Sequence, residues 1–203
     1  KMKNKEIDIL IGTQMVAKGL DFPNVSLVGI IDADSMLALP DFRAAERTFQ
    51  LIVQAAGRAG RGDKLGEVVI QTYSPDNSII NWAAKQDYIS FYFEELKQRK
   101  ILNYPPFSSL LRIVVSSNNA NKVLEKISLV AELINEITDA KEDYLQILGP
   151  APCPIQKVRS QYRYQIIIKS HNRLLLKSIG QFILGEINFP NGKIDIDINP
   201  YSM

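Results

Sequence analysis

Apolar and polar positions fall into short runs along this chain, and the period of each run predicts an element. Ile7-Asp8-Ile9-Leu10-Ile11 is apolar and β-branched and stops at Gly12, which predicts a buried strand. A second buried strand is predicted over Val25-Ser26-Leu27-Val28-Gly29-Ile30-Ile31. A third is predicted over residues 66–72, closed by Ser74-Pro75-Asp76. Between them Leu39-Pro40-Asp41-Phe42 is a breaker and cap. The spacing then predicts a helix over 43–56, with Phe49, Ile52 and Val53 on its core face. Helical spacing returns over 78–100 as two helices broken near Gln86-Asp87. Their aromatic stripe of Trp82, Tyr88, Phe91 and Tyr92 reads as a packing face.

Tyr104-Pro105-Pro106-Phe107 is the clearest boundary, because two prolines stop a helix and stiffen the connection. It divides the chain into expected domains 1–103 and 104–203. The second has its own pattern: a strand at 110–115, a helix at 121–138 and a strand at 144–148. A proline-rich loop follows, then a strand at 162–169, a helix at 174–187 and an alternating, half-buried strand at 193–198. The order β-α-β-β-α-β is the ferredoxin-like, split βαβ pattern.

Composition narrows the function. Net charge is only +2 over 203 residues, so nucleic-acid contact has to come from a local patch rather than a global field. One cysteine, Cys153, and one histidine, His171, exclude an internal disulfide framework and a Cys/His zinc cluster. Cys153 lies in Pro150-Ala151-Pro152-Cys153-Pro154 and reads as a structural thiol. No run approaches the length of a membrane span, and Lys1-Met2-Lys3-Asn4-Lys5 leads into a strand rather than a signal-type segment, so a cytoplasmic protein without membrane contact is expected. The first apolar run has no partner before it, which suggests a chain that begins in mid-domain.

Two stretches carry chemistry. In Gln54-Ala55-Ala56-Gly57-Arg58-Ala59-Gly60-Arg61-Gly62, two arginines each follow a glycine. A guanidinium fork fits phosphate oxygens and stays charged. The glycines allow close approach of backbone, and Gln54 can orient a water. If the alanine-rich run stays helical, Arg58 and Arg61 share one face. The upstream stretch is Gly12-Thr13-Gln14-Met15-Val16-Ala17-Lys18-Gly19-Leu20-Asp21-Phe22-Pro23. It would sit at a strand's C-terminal end, where open α/β sheets bind ligands. Thr13 offers a hydroxyl, Lys18 a charge, and Asp21 an acceptor for a ribose hydroxyl or an arginine. Asp32-Ala33-Asp34 follows the second strand and can hold a metal or, more commonly, cap and pair. Near the other end, Lys157 to Tyr164 mixes cations with aromatics, and Arg159, Tyr162 and Arg163 are candidates for phosphate contact and base stacking. A strand with a solvated outer face explains that run equally well. Asp195 and Asp197 share a strand face and are expected to pair with Arg159 or Arg163.

The stretch 12–23 resembles helicase motif V, and 54–62 resembles motif VI. With Asp41-Phe42-Arg43-Ala44-Ala45-Glu46-Arg47-Thr48 between them, Tyr104-Pro105-Pro106-Phe107 beyond, and Arg163-Tyr164-Gln165 to Asp195-Ile196-Asp197 at the end, the whole chain is similar to the primosomal replication-restart helicases, the PriA family. The resemblance implies an α/β fold: a partial RecA-like second helicase lobe with a mostly parallel sheet, then a ferredoxin-like C-terminal domain. It implies a bacterial 3′–5′ DNA helicase that hydrolyses ATP with Mg at stalled forks and helps to assemble the primosome. By motif match Arg61 would be the arginine finger, Arg58 a γ-phosphate contact, and Gln54 a positioner of water or phosphate. Gly19, Asp21 and Gly57 would join them at ATP, while Thr13, Gln14 and Lys18 would couple DNA to the cleft. The C-terminal domain would meet forked and single-stranded DNA, and Arg173 and Lys177 would bind the acidic tail of single-strand-binding protein.

The chain departs from the family's full pattern. It has no Gly-x-x-x-x-Gly-Lys-Ser/Thr loop, no Asp-Glu-x-His metal motif and no cysteine-rich zinc segment. ATP, Mg and zinc are therefore expected mainly on upstream segments, with no metal in this chain. A C-terminal fragment inactive in ATP hydrolysis on its own is the first reading. A stand-alone nucleic-acid- or protein-binding module without motor activity is the alternative.

Overall fold

The computed structural model describes residues 6–13, 25–60, 66–138 and 145–203. The chain divides into two compact units, Lys1–Gln98 and Arg99–Met203.

In the first unit, β1 (Leu27–Ile30) and β2 (Glu67–Ile70) pair in parallel, with Leu27 opposite Glu67 and Ile30 opposite Ile70. The crossover between them contains helix α1 (Ala44–Ala56). Its helical spacing places Phe49 and Ile52 inside as expected, with Val53 half-buried against the same core, and Ala44 and Thr48 are buried as well. Helix α2 (Ser78–Ala84) begins at Asn77, whose side chain accepts from the amides of Ile79 and Ile80. It stops at Gln86, which takes a left-handed φ of 55°. Asp87 then starts α3 (Tyr88–Ile101) by accepting from the Ser90 amide and hydroxyl. The expected break at Gln86-Asp87 is thus a left-handed stop followed at once by a cap. Phe49 stacks on Phe91 with ring centroids 4.3 Å apart, and Ile52, Ile80, Ala83 and Ala33 complete the core, with Trp82 packed at its edge.

The apolar runs near the start are less buried than their composition predicts. Residues 6–13 form no strand, and Ile9 and Ile11 are 78% and 88% exposed. The run over 25–31 is a strand only from Leu27 to Ile30 and is half exposed, with Leu27 and Ile31 open to solvent. An apolar run becomes a buried strand only where neighbours cover both its faces and both its edges. Among the described residues this sheet has two strands and offers no such cover.

The second unit contains β3 (Ser109–Ser117), α4 (Ala120–Ile137), β4 (Leu145–Val158), β5 (Gln161–Ser170), α5 (Arg173–Glu186) and β6 (Lys193–Ile198). The strands form one antiparallel sheet in the order β4-β5-β3-β6. Side chains alternate across a strand. Leu111, Ile113 and Val115 of β3 and Ile166 and Ile168 of β5 therefore face one side. There they meet Val123, Ile127, Val130 and Ile134 of α4 and Leu176, Ile179 and Ile183 of α5. Each fully buried side chain of this kind contributes about 1.5–3 kcal/mol of transfer free energy. Asn119 and Asn172 cap the two helices by accepting from backbone amides.

The proline-rich segment is not a loop. Residues 149–158 continue β4, with register shifts between Leu148 and Ala151 and between Pro152 and Lys157. Prolines fit an edge strand because the amide they lack would face solvent, and β4 is the edge. On the sheet face away from the helices, Lys169 is only 4% exposed. Its ammonium donates to Leu102 O at 3.0 Å and lies 3.7 Å from the centre of the Tyr104 ring. His171 Nδ1 is 2.7 Å from Phe107 O, so strand β5 and its end hold the proline segment at two points.

Candidate nucleotide and nucleic-acid sites

Helix α1 ends at Ala56, and the following residues tighten into turns: Arg58 N donates to Ala55 O and Ala59 N to Ala56 O. Gly60 takes a positive φ of 71°, and its amide donates to Val25 O at 3.1 Å. The helix thus stops before Arg58, and the expected pairing of Arg58 with Arg61 on one face falls partly outside the described residues. The segment is instead a turn anchored where the chain enters β1. Gly66 lies against it: a Cβ there would run into the backbone of Ala59 and Gly60. Gln54 and Gly57 are exposed and Arg58 is half-buried. Thr13 is exposed. Gln14, Lys18, Gly19, Asp21 and Arg61 lie outside the described residues.

The two acids after β1 make hydrogen bonds within the neighbouring loops. Asp34 accepts from Thr72 Oγ1 and from the Tyr73 amide, both at 2.9 Å, and so ties the loop after β1 to the loop after β2. The Tyr73 amide, helped by the hydroxyls of Thr72 and Ser74, holds the Asp34 carboxyl below the usual carboxylate range. Asp32 accepts from the Ser35 amide at 3.2 Å. Asp41, by contrast, is nearly covered and pairs with Arg47 at 3.0 Å. Among the described residues no group of three or more His, Cys, Asp or Glu side chains comes together.

The basic, aromatic run forms the hairpin between β4 and β5. Tyr162 and Tyr164 pack against the helix-facing core. Lys157 sits over the Tyr162 ring at 4.5 Å and 3.3 Å from its hydroxyl, and Gln156 donates to the Tyr164 hydroxyl at 3.5 Å. Arg163 alternates to the other face, and Arg159 occupies the turn. The partners expected for Asp195 and Asp197 are different. Asp195 pairs with Lys193 of its own strand, and Asp197 stands opposite Arg112 in the β3–β6 register. Lys193 is the i−2 residue on the same strand face, while Arg159 and Arg163 belong to the distant β4–β5 edge.

Arg112 is a residue that motif reasoning missed. Its guanidinium donates to Gln165 Oε1 at 2.8 Å and Ser202 O at 3.0 Å, and lies 3.8 Å from Cys153 Sγ. Burial pushes the Cys153 thiol up, against the opposing pull of Arg112 and Arg163. Arg173 is the first residue of α5, one turn before Lys177. Both are exposed, and Leu174 between them is 78% exposed. A second missed signal lies in the charges. From Leu145 to Gly185 there is no Asp or Glu, while Lys157, Arg159, Arg163, Lys169, Arg173 and Lys177 are all cationic.

Residues 100–201 match the family described as "Primosomal protein N C-terminal domain", and residues 1–63 match "Helicase conserved C-terminal domain". "Replication restart protein PriA" of Bacillus subtilis (strain 168) is 44% identical over 200 residues, which cover 97% of this chain and 24% of that protein. Its namesake from Rickettsia felis is 44% identical over 203 residues, covering 100% of this chain and 30% of the relative. The one from Synechocystis is 38% identical over 202 residues, covering 98% and 23%. The chain thus spans between about a quarter and a third of the length of these relatives. Among solved structures, the de novo designed protein Foldit4 aligns with 46% of this chain and 97% of its own, at 12% identity and a TM-score of 0.35. Among the described residues no helix is long and apolar enough to cross a membrane. With one family match covering half its length and the restart proteins aligning from end to end, the chain belongs to the PriA family.

Proposed function

We propose that this chain is part of an ATP-dependent 3′–5′ DNA helicase that restarts stalled replication forks and assembles the primosome. One observation carries the reading: a single chain matches a helicase C-terminal domain over 1–63 and the primosomal protein N C-terminal domain over 100–201. The first unit is a portion of a RecA-like second lobe, which agrees with its parallel β1–α1–β2 crossover. The second is a ferredoxin-like domain, which agrees with its β-α-β-β-α-β order and its β4-β5-β3-β6 sheet.

In this reading Arg61 is the arginine finger, Arg58 contacts the γ-phosphate and Gln54 positions the attacking water or a phosphate oxygen. Gly57, Gly19 and Asp21 complete the nucleotide contacts, and Thr13, Gln14 and Lys18 pass the change to DNA. Two arginines aimed at phosphate suit a transition state whose charge spreads over the equatorial oxygens. The turn geometry supports the assignment of Arg58, since an anchored turn holds a half-buried guanidinium more firmly than a fraying helix end would. Mg and most of the ATP contacts fall to the lobe outside this chain, and zinc to an upstream segment. Arg159 and Arg163 contact forked DNA. Arg173 and Lys177, with Leu174 exposed between them, take the acidic tail of single-strand-binding protein.

The test is Arg61→Ala in the full-length protein. Turnover of ATP should fall by about 10³-fold or more, while DNA affinity is kept. Turnover close to the parent rate removes the finger assignment. The alternative, a binding module without motor activity, is favoured by the acid-free stretch 145–185. It predicts that the 203-residue chain on its own binds forked DNA or an acidic tail peptide in fluorescence anisotropy, and absence of both interactions removes it.

A further inference from the structure

We propose that the β4–β5 hairpin is an arm that enters a groove of duplex DNA, and that it does not bind single strands by stacking. The proposal rests on the reading of this chain as part of a DNA-handling protein and specifies which form of DNA this site takes.

Three observations carry it. First, the tyrosines are engaged. Tyr162 and Tyr164 lie against the helix-facing core. Lys157 covers the outer face of Tyr162, and Gln156 holds the Tyr164 hydroxyl. A stacking platform needs a free ring face for each base; both rings pack partly into the core, and Lys157 already lies over the Tyr162 ring. Second, the cations surround the ribbon. Lys157 pairs with Tyr162 in register and shares its face. Arg163 is the next residue along β5 and so projects from the opposite face. Arg159 stands at the tip, and every residue from 154 to 161 is exposed. The last rung, Val158 opposite Gln161, runs beyond the end of β3, which stops at Ser117 opposite Tyr162. A groove has phosphates on both walls, and a major groove about 12 Å wide admits a two-stranded β-ribbon. A ribbon with cations on both faces and at its tip matches that shape and charge. The acid-free stretch 145–185 leaves no carboxylate on β4 or β5 to repel the phosphates.

Third, the turn keeps an arginine where a glycine or asparagine fits more easily. Arg159 and Ser160 have φ of 47° and 64°. Such a two-residue turn with both residues left-handed is the position favoured by Asn-Gly. Strain of this kind, held in place by the flanking ladder, points toward use of the side chain.

The experiment is fluorescence anisotropy of the 203-residue chain with a short blunt duplex and with one of its strands, over a range of salt. The duplex should bind more tightly. The triple variant Lys157→Gln/Arg159→Gln/Arg163→Gln should flatten the dependence of log affinity on log salt by about 2.7, at about 0.9 per phosphate contact. Arg159→Asn/Ser160→Gly should flatten it by about 0.9 while melting no lower than the parent, which separates contact from folding. Lys97→Gln, on α3, should change neither quantity. Three results would each overturn the proposal: no binding of the duplex, an unchanged salt slope in the triple variant, or tighter binding of the single strand with Tyr162→Leu the most damaging change. None of these touches the motor reading, which is tested separately by ATP turnover in the full-length protein.

Discussion

Gly66→Ala should disable the arginine turn without touching an arginine. The added methyl would lie 2.5 Å from the Ala59 carbonyl carbon and 2.7 Å from its Cβ, where ordinary contact begins at 3.4 Å. The neighbours are backbone atoms and a Cβ fixed to them, so no flexible side chain can swing aside. Relief requires the Ala59–Gly60 turn to move by about 1 Å, and a displacement of that size can cost about 10²-fold in rate. The move also strains the bond from Gly60 N to Val25 O, and overpacking of this kind costs about 1–3 kcal/mol. Two measurements check it. In the full-length protein, ATP turnover should fall by about two orders of magnitude with DNA affinity unchanged. In the 203-residue chain, the amide resonances of Ala59 and Gly60 should shift while those of β3 and β5 stay in place. Unshifted amides would refute the steric argument itself. Shifted amides with normal turnover would show that the turn's position does not govern the chemistry.

Two further outcomes concern the second unit. Ile127→Ala removes a fully buried side chain from between α4 and the sheet. It should destabilise that unit by about 2–5 kcal/mol, which at about 4–8 °C per kcal/mol is a loss of about eight degrees or more in melting temperature. A loss of only a degree or two would mean that the core collapses around the gap. Lys169 gives a pH signature. Burial lowers its pKa from the ordinary value of 10.5, so near that pH the unfolded chain holds the proton that the folded chain has released. Stability contributed at this site therefore rises as pH approaches 10.5 from below. In melting experiments the parent should gain on Lys169→Met over that interval. A constant difference between the two would place the ammonium in water rather than against Leu102 and Tyr104.

Periodicity made the helices legible. The pattern over 43–56 and the break at Gln86-Asp87 follow from residues that touch each other locally, so the chain alone contains the information. The same holds for β3, β5, β6, α4 and α5, whose apolar faces all meet within one unit. Reading failed where a distant element decides the outcome. Ile9 and Ile11 read as buried because of their composition, but burial belongs to the neighbours that cover them. The prolines of 150–154 read as a loop because their tolerance depends on β4 lying at the sheet edge. The glycine and arginine content of 54–62 pointed to phosphate, whereas the anchoring of its turn by Val25 and Gly66 needed coordinates. The acid-free stretch was visible throughout and was hidden by a net charge near zero, since Asp and Glu elsewhere offset it.

The distribution of rare side chains has a practical consequence. The chain's one tryptophan, Trp82, packs at the edge of the first unit's core, and its one cysteine, Cys153, is buried at the edge strand of the second. Each unit therefore carries a single native reporter that the other lacks. Indole emission would follow melting of the helicase portion alone. The rate at which a thiol reagent consumes Cys153 would time the opening of the hairpin strand. Recorded together on unlabelled protein, the two signals would show whether DNA bound at the hairpin stabilises only its own unit or both.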